Sequence, residues 1–551
     1  MMKLPDTEKL FADKKAEYAT LSAMILVAAL YRCWDLLKVV AGGIPDISHI
    51  SYDGVYYVQT ARNILAGDGL GWEATIFPVL QPILIAALAL VTGIKNLAFL
   101  SSCVSEAAGL LLLLWVYLLV REIYGKKPAF AAVLLLIPYP HLVAIAGGDT
   151  AESLYASLVC LSVLAGYTAL KSRRSGDFLL TGLSIGLTYL ARPEGFVFFL
   201  GFFALTAWML SKEGARKAIK PVALATAGFL LFALPYITFL TNSYGRLIIS
   251  SKLPYESIVM RAKVYGEPLR MQEVEGITEN GRLAWQEYGG ADLVFGYFRQ
   301  DPDRFIRTYF DDLLSELPWN VGNSSQLAGY PTVYPLYFWI PAFIGMALLF
   351  RRKETIWVGL LILCPFLNMF VYPVFARGFW IYHAPYVPLL VVLAVGGAVF
   401  IVDKLPARLE WVPILILCVW TGYSAYIKFS SKPQEVGRIA VNTLISDESI
   451  KAGQWGRSNI GTRTSFIMAW SRLVCYLGGR WVPLPAASPE CTVDYGRNNG
   501  AGYLVEELVG DDYLAGSRFN SVPYLEKAYY YTSDCAPYAV IFWRIMPVPG
   551  N

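Results

Sequence analysis

Asp53 stands in a polar stretch, ISHISYDGVYYVQTARNILAGDGLGW, that runs from Ile47 to Trp72 between long apolar segments. A carboxylate held at a water boundary can take a proton from a hydroxyl or an amine. Two more acids, Asp149 and Glu152, lie in a second short polar segment, and cations follow at Arg62, Arg192, Arg246, Lys252 and Arg377, with Tyr382 and His383 close to the last. Arginine suits phosphate because its fork donates two parallel hydrogen bonds. Acids and cations at one boundary fit a displacement at a sugar carbon. Cations stabilise a departing phosphate, and Asp53 activates the incoming nucleophile. Phosphate leaves without protonation, so one base and the cations suffice, and the carbon inverts.

Each residue also has a plainer use. Asp53 can simply cap the helix that starts at Gly54. Val55, Val58, Ala61 and Leu65 then share a face that would lie on lipid. Asp149 and Glu152 sit where acids favour the dipole of the helix over 152–170. Arg192 can be a snorkelling boundary arginine. Arg32 and Asp35 can pair within the first span, where buried charge is costly. His141 reads as a structural histidine, and His383 as a further phosphate contact. Trp285, Tyr288, Trp319 and Trp481 can stack on sugars or serve as packing and interfacial anchors.

The elements that must position these groups are mostly greasy. Of 551 residues, 56% are hydrophobic and 16% charged, with a mean hydropathy of +0.46. A soluble protein needs more polar surface, so the chain reads as a polytopic membrane protein embedded in a lipid bilayer. The net charge of +4 and scattered basic residues give no nucleic-acid footprint. Apolar runs predict spans over about 19–40, 97–120, 128–146, 152–170, 177–191, 195–211, 220–240, 333–350, 356–375, 382–402 and 410–427. The run Ile76 to Val91 is short and carries Pro78 and Pro82, so it reads as a juxtamembrane or re-entrant helix. Met1 to Tyr18 is polar, and the stretch after it lacks an A-x-A site, so the first span is expected to stay as an anchor.

Lys and Arg gather in REIYGKK (121–127), LKSRRSGD (170–177), SKEGARKAIK (211–220), RRKET (351–355) and DKLPAR (403–408). These loops are cytoplasmic by the positive-inside rule, as is the N-terminus. The opposite face then carries the first external loop (41–96), AGGDTAE (146–152), ARPEG (191–195), the long loop 241–332, ARGFWIYH (376–383) and the C-terminal part. Every residue named as chemical falls on that outer face.

From Lys432 the long apolar runs stop. Strands are expected over Tyr503 to Val505 and Tyr538 to Ile545, with weak helices around 435–445 and 463–475, as in a small α/β domain. Of eight cysteines, Cys475, Cys491 and Cys535 lie in this part; three allow at most one disulfide, and Cys491 with Cys535 is one pairing. No CxxC or His/Cys cluster supports a metal site.

Taken in order, SYDGVYYVQTARNIL (51–65), FPVLQPIL (77–84), GGDTAESLY (147–155), GLTYLARPEG (186–195), LPYITFLTNSYGRLIISSK (234–252), YHAPYVPLL (382–390), then YLGGRWVPLP and YGRNNGAGYLVEE in the tail, resemble the GT-C class of polyprenyl-phosphate-sugar-dependent glycosyltransferases. The similarity is greatest to bacterial relatives of the protein O-mannosyltransferases and the aminoarabinose transferase. The resemblance implies Asp53 as catalytic base and an acid from the second external loop, Asp149 or Glu152. It leaves a divalent metal open as a cofactor, since relatives often show two adjacent acids where this chain has Asp53 and Gly54. Where the aminoarabinose transferase has a basic residue near the start of the re-entrant helix, this chain has Thr75, Ile76 and Phe77, so lipid phosphate falls to Arg192, Arg246, Lys252 or Arg377.

The expectation is therefore a polytopic α-helical, GT-C-like membrane protein of about 11 transmembrane helices. Residues 1–430 form the membrane domain and 431–551 a small extracytoplasmic α/β domain, in a cell (inner) membrane with the N-terminus cytoplasmic. The expected activity is inverting transfer from a polyprenyl-phosphate sugar donor to a glycan, lipid or protein acceptor. A polymerase or ligase using a polyprenyl-diphosphate donor is one alternative. A flippase for lipid-linked sugars is another, though no inverted repeat is evident.

Overall fold

The computed structural model describes residues 14–44, 50–265, 276–315, 336–351, 355–372, 380–404, 406, 419–420, 422–423, 437–460, 465–468, 473–534 and 537–547. Its contacts divide the chain into two units. One takes Met1–Gly43, Ser102–Phe239 and Tyr309–Lys432; the other takes Ile44–Ser101, Leu240–Thr308 and Pro433–Asn551.

The first unit is helical. Among the described residues, four helices are long and apolar enough to cross a bilayer: Leu97–Tyr124, Glu152–Ser172, Ala215–Tyr244 and Ala384–Val402. A fifth crossing results if Lys126–Leu136 and Pro140–Ala146, bent by 68°, count as one. Gly195–Ser211, Phe338–Arg351 and Ile356–Phe370 are shorter apolar helices. The expected first span is broken at Cys33 into Lys14–Arg32 and Trp34–Ala41. The expected span over 410–427 lies mostly outside the described residues.

Small residues set how closely the helices approach. A Cβ on Gly345 would stand 2.0 Å from the Leu393 carbonyl oxygen, and one on Gly397 would stand 1.9 Å from that of Pro341. These glycines let the backbones of Leu336–Arg351 and Val387–Val402 touch, as membrane helices do without water to drive them together.

The bend at 137–139 has a local cause. Leu136 would bond the amide of residue 140, but Pro140 has none. Buried Arg32 fills the gap: Nη2 donates to the Leu136 carbonyl at 2.5 Å, Nε to Ile137 at 3.1 Å and Nη1 to Gly109 at 3.2 Å. The expected Arg32–Asp35 pair is therefore absent. Asp35 is exposed and meets Lys38 at 3.5 Å.

The second unit holds a five-stranded mixed sheet ordered β2-β1-β3-β5-β4. The strands are β1 (Ser465–Met468), β2 (Arg480–Pro483), β3 (Tyr503–Val509), β4 (Leu525–Thr532) and β5 (Tyr538–Ile545). β1 pairs in parallel with β2 and β3, and β5 pairs antiparallel with β3 and β4. Central β5 is buried from Tyr538 to Trp543, while edge strand β4 shows Glu526 and Lys527 to solvent. One face packs Leu504, Phe519, Ile541 and Trp543 into a core. Helix Gly437–Ile460 covers β5 elsewhere, with Trp455 5.4 Å from Phe542. A strand buried on both faces reads as an unbroken apolar run, which is why β5 was visible in the sequence. The helix expected over 463–475 is instead β1 followed by Leu473–Leu477, because β1 finds two parallel partners far along the chain.

Helix Tyr52–Ala66 belongs to this second unit. Gly54 through Ala61 are all buried, so Val55, Val58 and Ala61 pack on protein rather than on lipid. The partners are the neighbouring segment 72–92, with the Phe77 and Tyr56 ring centroids 4.8 Å apart, and the tail. Gln59 donates to the Gly479 carbonyl at 3.1 Å, and Arg62 to that of Cys475 at 3.0 Å.

Candidate active site

Asp53 lies in the first turn of Tyr52–Ala66, half-buried. It is not the cap. Ser51 takes that position in extended backbone, and its hydroxyl accepts from the Gly54 amide at 3.0 Å. The expected capping use of Asp53 is thus corrected.

Three expected cations share the second unit with Asp53. Arg62 has its donors committed, to Gln59 of its own helix and to the tail carbonyl above. Lys252 sits 5.5 Å from the Phe77 ring centroid, a cation–π arrangement. Arg246 differs from both, because its Nε and Nη2 are buried with no hydrogen-bond partner among the described residues. A Cβ on Gly290 would be 3.4 Å from that Nη2, and Gly290 is the N-cap of helix Ala291–Gln300. A guanidinium at the positive end of a helix repels it unless an anion lies between. Tyr244, two residues earlier, fixes the approach by donating to the Thr75 carbonyl at 3.0 Å.

The remaining expected residues belong to the first unit. Pro193 keeps Arg192 extended, at φ −153° and ψ 139°. Its side chain, 2% exposed, runs between two carboxylates: Nη1 meets Glu152 at 2.5 Å and Nη2 meets Glu194 at 2.8 Å. The guanidinium carbon lies 4.8 Å from the Tyr382 ring centroid and 5.8 Å from that of Tyr155. Asn368 donates to the Glu194 carbonyl at 3.2 Å. Tyrosine hydroxyls form a chain alongside, with Tyr155 3.1 Å from Tyr386 and Tyr386 2.9 Å from Tyr372. His383 is buried beside Tyr372, with ring centroids 5.8 Å apart. One guanidinium here meets two carboxyl groups, and among the described residues Glu152 Oε2 has no hydrogen-bond partner. Asp149 is almost buried in the turn before Glu152, where the Thr150 carbonyl accepts from Ser105 at 3.0 Å. Arg377 and Trp319 lie outside the described residues, as does Cys535 and hence the suggested pairing with Cys491. Among the described residues, no three His, Cys, Asp or Glu side chains gather as a metal cage.

Two acids gained weight only in three dimensions. Glu194 neutralises Arg192, and its signal is the ARPEG turn that sets both on one side of a proline. Glu73, 1% exposed, accepts from Asn63 at 3.1 Å. Burial pushes its carboxyl up to about 8, against the Asn63 bond and the charges of Arg480 and Arg62. Nothing in the run GWEATIF signals that burial.

Residues 78–240 match the family model of dolichyl-phosphate-mannose-protein mannosyltransferases. The whole fold is similar to the Archaeoglobus fulgidus oligosaccharyltransferase in its apo form, with a TM-score of 0.57 and 14% identity over 95% of this chain and 74% of that one. The chain has the fold of a membrane glycosyltransferase. The archaeal enzyme AglB in complex with an inhibitory peptide and a dolichol-phosphate gives 0.54 and 14%, over 97% of this chain and 75% of that one. ArnT from Cupriavidus metallidurans bound to undecaprenyl phosphate gives 0.44 and 12%, over 96% and 98%. Among curated proteins, none matches by sequence.

Proposed function

We propose that the chain transfers a sugar, with inversion, from a polyprenyl-phosphate carrier to an acceptor outside the cytoplasm. The match of residues 78–240 to a family named for a dolichyl-phosphate-mannose donor carries this reading. Asp53 is the base. Ser51 caps the helix, and the role given to Asp53 in its first turn is to take the proton of the attacking group. Arg246 binds the carrier phosphate, assisted by Lys252. Its unsatisfied N–H groups and the helix terminus at Gly290 supply the donors a phosphate dianion requires. The steps assigned here are carried by side chains alone.

In the first unit, Glu152 and Asp149 provide the second acidic patch, with Arg192 as the counter-ion that makes its burial tolerable. Tyr382 and His383 position Arg192, and Arg377 remains a second phosphate candidate. The broken first helix, Ser175–Ala191, the three shorter apolar helices and the run over 410–427 bring the crossings to about eleven in the inner membrane, with residues 1–430 as the membrane domain. The N-terminus is cytoplasmic, and the domain over 431–551 lies on the outer side with Asp53. Glycan, lipid and protein acceptors all fit this chemistry.

The test uses the full chain in lipid nanodiscs with a synthetic polyprenyl-phosphate mannose. Donor is consumed by the native chain. Asp53→Asn lowers kcat by about 10²–10⁴, the usual worth of a general base, with unchanged thermal unfolding. Arg246→Ala raises KM for the donor. Full turnover by Asp53→Asn would refute the assigned role.

A further inference from the structure

A cavity of about 430 Å³ opens in the second unit, lined by none of the residues given a role in the proposed transfer. Three distant stretches build it: 63–73, 281–286 and 480–499. Its volume is that of a small-molecule site. Trp72 and Trp481 form an aromatic wall, edge to face at 4.6 Å, and the Trp72 indole N–H donates to the Trp481 carbonyl at 3.0 Å. Asn63, Gln286 and Asn499 offer amides that both donate and accept.

The polar groups in the lining decide the ligand class. Arg282 and Arg480 share it with the carboxyls of Asp68 and Glu73, the latter kept protonated near neutral pH by burial, so donors and acceptors are mixed. A phosphate would want the arginines without the acids. A lipid chain would want apolar walls. Mixed donors and acceptors beside an aromatic face suit a neutral polyhydroxyl ligand. Gly71 lets Asn63 and Glu73 pack against the cavity rim: its φ is +75°, and a Cβ there would stand 2.1 Å from the Asn63 amide nitrogen and 2.2 Å from a Glu73 carboxylate oxygen.

Asn63 is on the same helix as Asp53, ten residues on. At 1.5 Å per residue that is about 15 Å along the axis. A sugar in the cavity is therefore not the one that reacts at Asp53.

We propose that this cavity is a saccharide subsite that holds a portion of a glycan acceptor remote from the attacking hydroxyl. The acceptor assignment rests on the proposed glycosyl transfer; the binding itself does not. The test is calorimetric titration of the full detergent-solubilised chain with three neutral probes: mannotriose, maltotriose and triacetylchitotriose. At least one binds at millimolar concentration or below. Asn499→Ala and Arg480→Ala, both at exposed positions, each weaken it by about tenfold, as the loss of one or two hydrogen bonds implies. Asp53→Asn leaves binding unchanged. The proposal is overturned if no probe binds, or if binding survives the Asn499→Ala/Arg480→Ala double variant. Donor turnover without probe binding removes the subsite and keeps the transferase. Probe binding without donor turnover does the reverse.

Discussion

Replacing Glu73 by Gln should stabilise the protein, and more so as pH rises. In the unfolded chain the carboxyl titrates near 4.5, whereas in the folded chain burial lifts it to about 8. Between those values the folded state binds a proton that the unfolded state has lost. Unfolding therefore becomes easier as pH increases across that window. The sign is opposite to that of a salt-bridged carboxylate. Each pH unit is worth about 1.4 kcal/mol. The penalty is below about 1 kcal/mol at pH 5, about 3 kcal/mol at pH 7, and levels off at about 5 kcal/mol beyond pH 8. Gln keeps an oxygen to accept from Asn63 and never ionises, so it escapes the whole penalty. The charges facing this carboxyl are Arg62 and Arg480, whose attraction the folded value already contains, with Asp68 and Arg282 elsewhere on the cavity wall. Thermal unfolding of native and Glu73→Gln protein in detergent, from pH 5 to 9, measures the difference. Asp68→Asn, at an exposed carboxylate of the same cavity, is the control and should show no comparable trend. A gap between native and Glu73→Gln that stays flat across pH 5 to 8, or that closes, would show that Glu73 is ionised in the fold.

The other expectations are simpler. Ser51→Ala removes the side-chain cap of Tyr52–Ala66 and should cost about 1 kcal/mol in chemical denaturation, while Asp53→Asn should cost much less; equal losses would return Asp53 to a capping role. Arg192→Gln strands two buried acids and should destabilise by about 3–5 kcal/mol, with Arg192→Lys losing less; an unchanged unfolding midpoint would mean the ion pairs do not hold the cluster. Gly71→Ala meets both a left-handed backbone and the Asn63–Glu73 contact, so about 2–4 kcal/mol should be lost, whereas Gly69→Ala, at similar φ with open space around it, should lose only the backbone part; equal losses would show that Gly71 does not protect that contact.

Sequence alone determined whatever depends on near neighbours. Hydropathy located the long apolar helices, since each is a continuous run with its own composition. An unbroken apolar run with β-branched and aromatic residues gave Tyr538–Ile545 its full length. The order of short motifs pointed to a glycosyltransferase fold, and to Asp53 as a group of interest. Tertiary structure decided what each charge is for. Arg192 meets an acid 40 residues away, and Arg32 serves a carbonyl 104 residues away; no local pattern encodes such a partner. Val55, Val58 and Ala61 look ready for lipid until the tail, more than 400 residues later, covers their helix. Burial raises the Glu73 carboxyl, and that burial exists only once the chain is packed. Periodicity and caps are properties of adjacent residues. Burial and pairing belong to the packed chain, where desolvation and Coulomb attraction depend on distance in space rather than along the sequence.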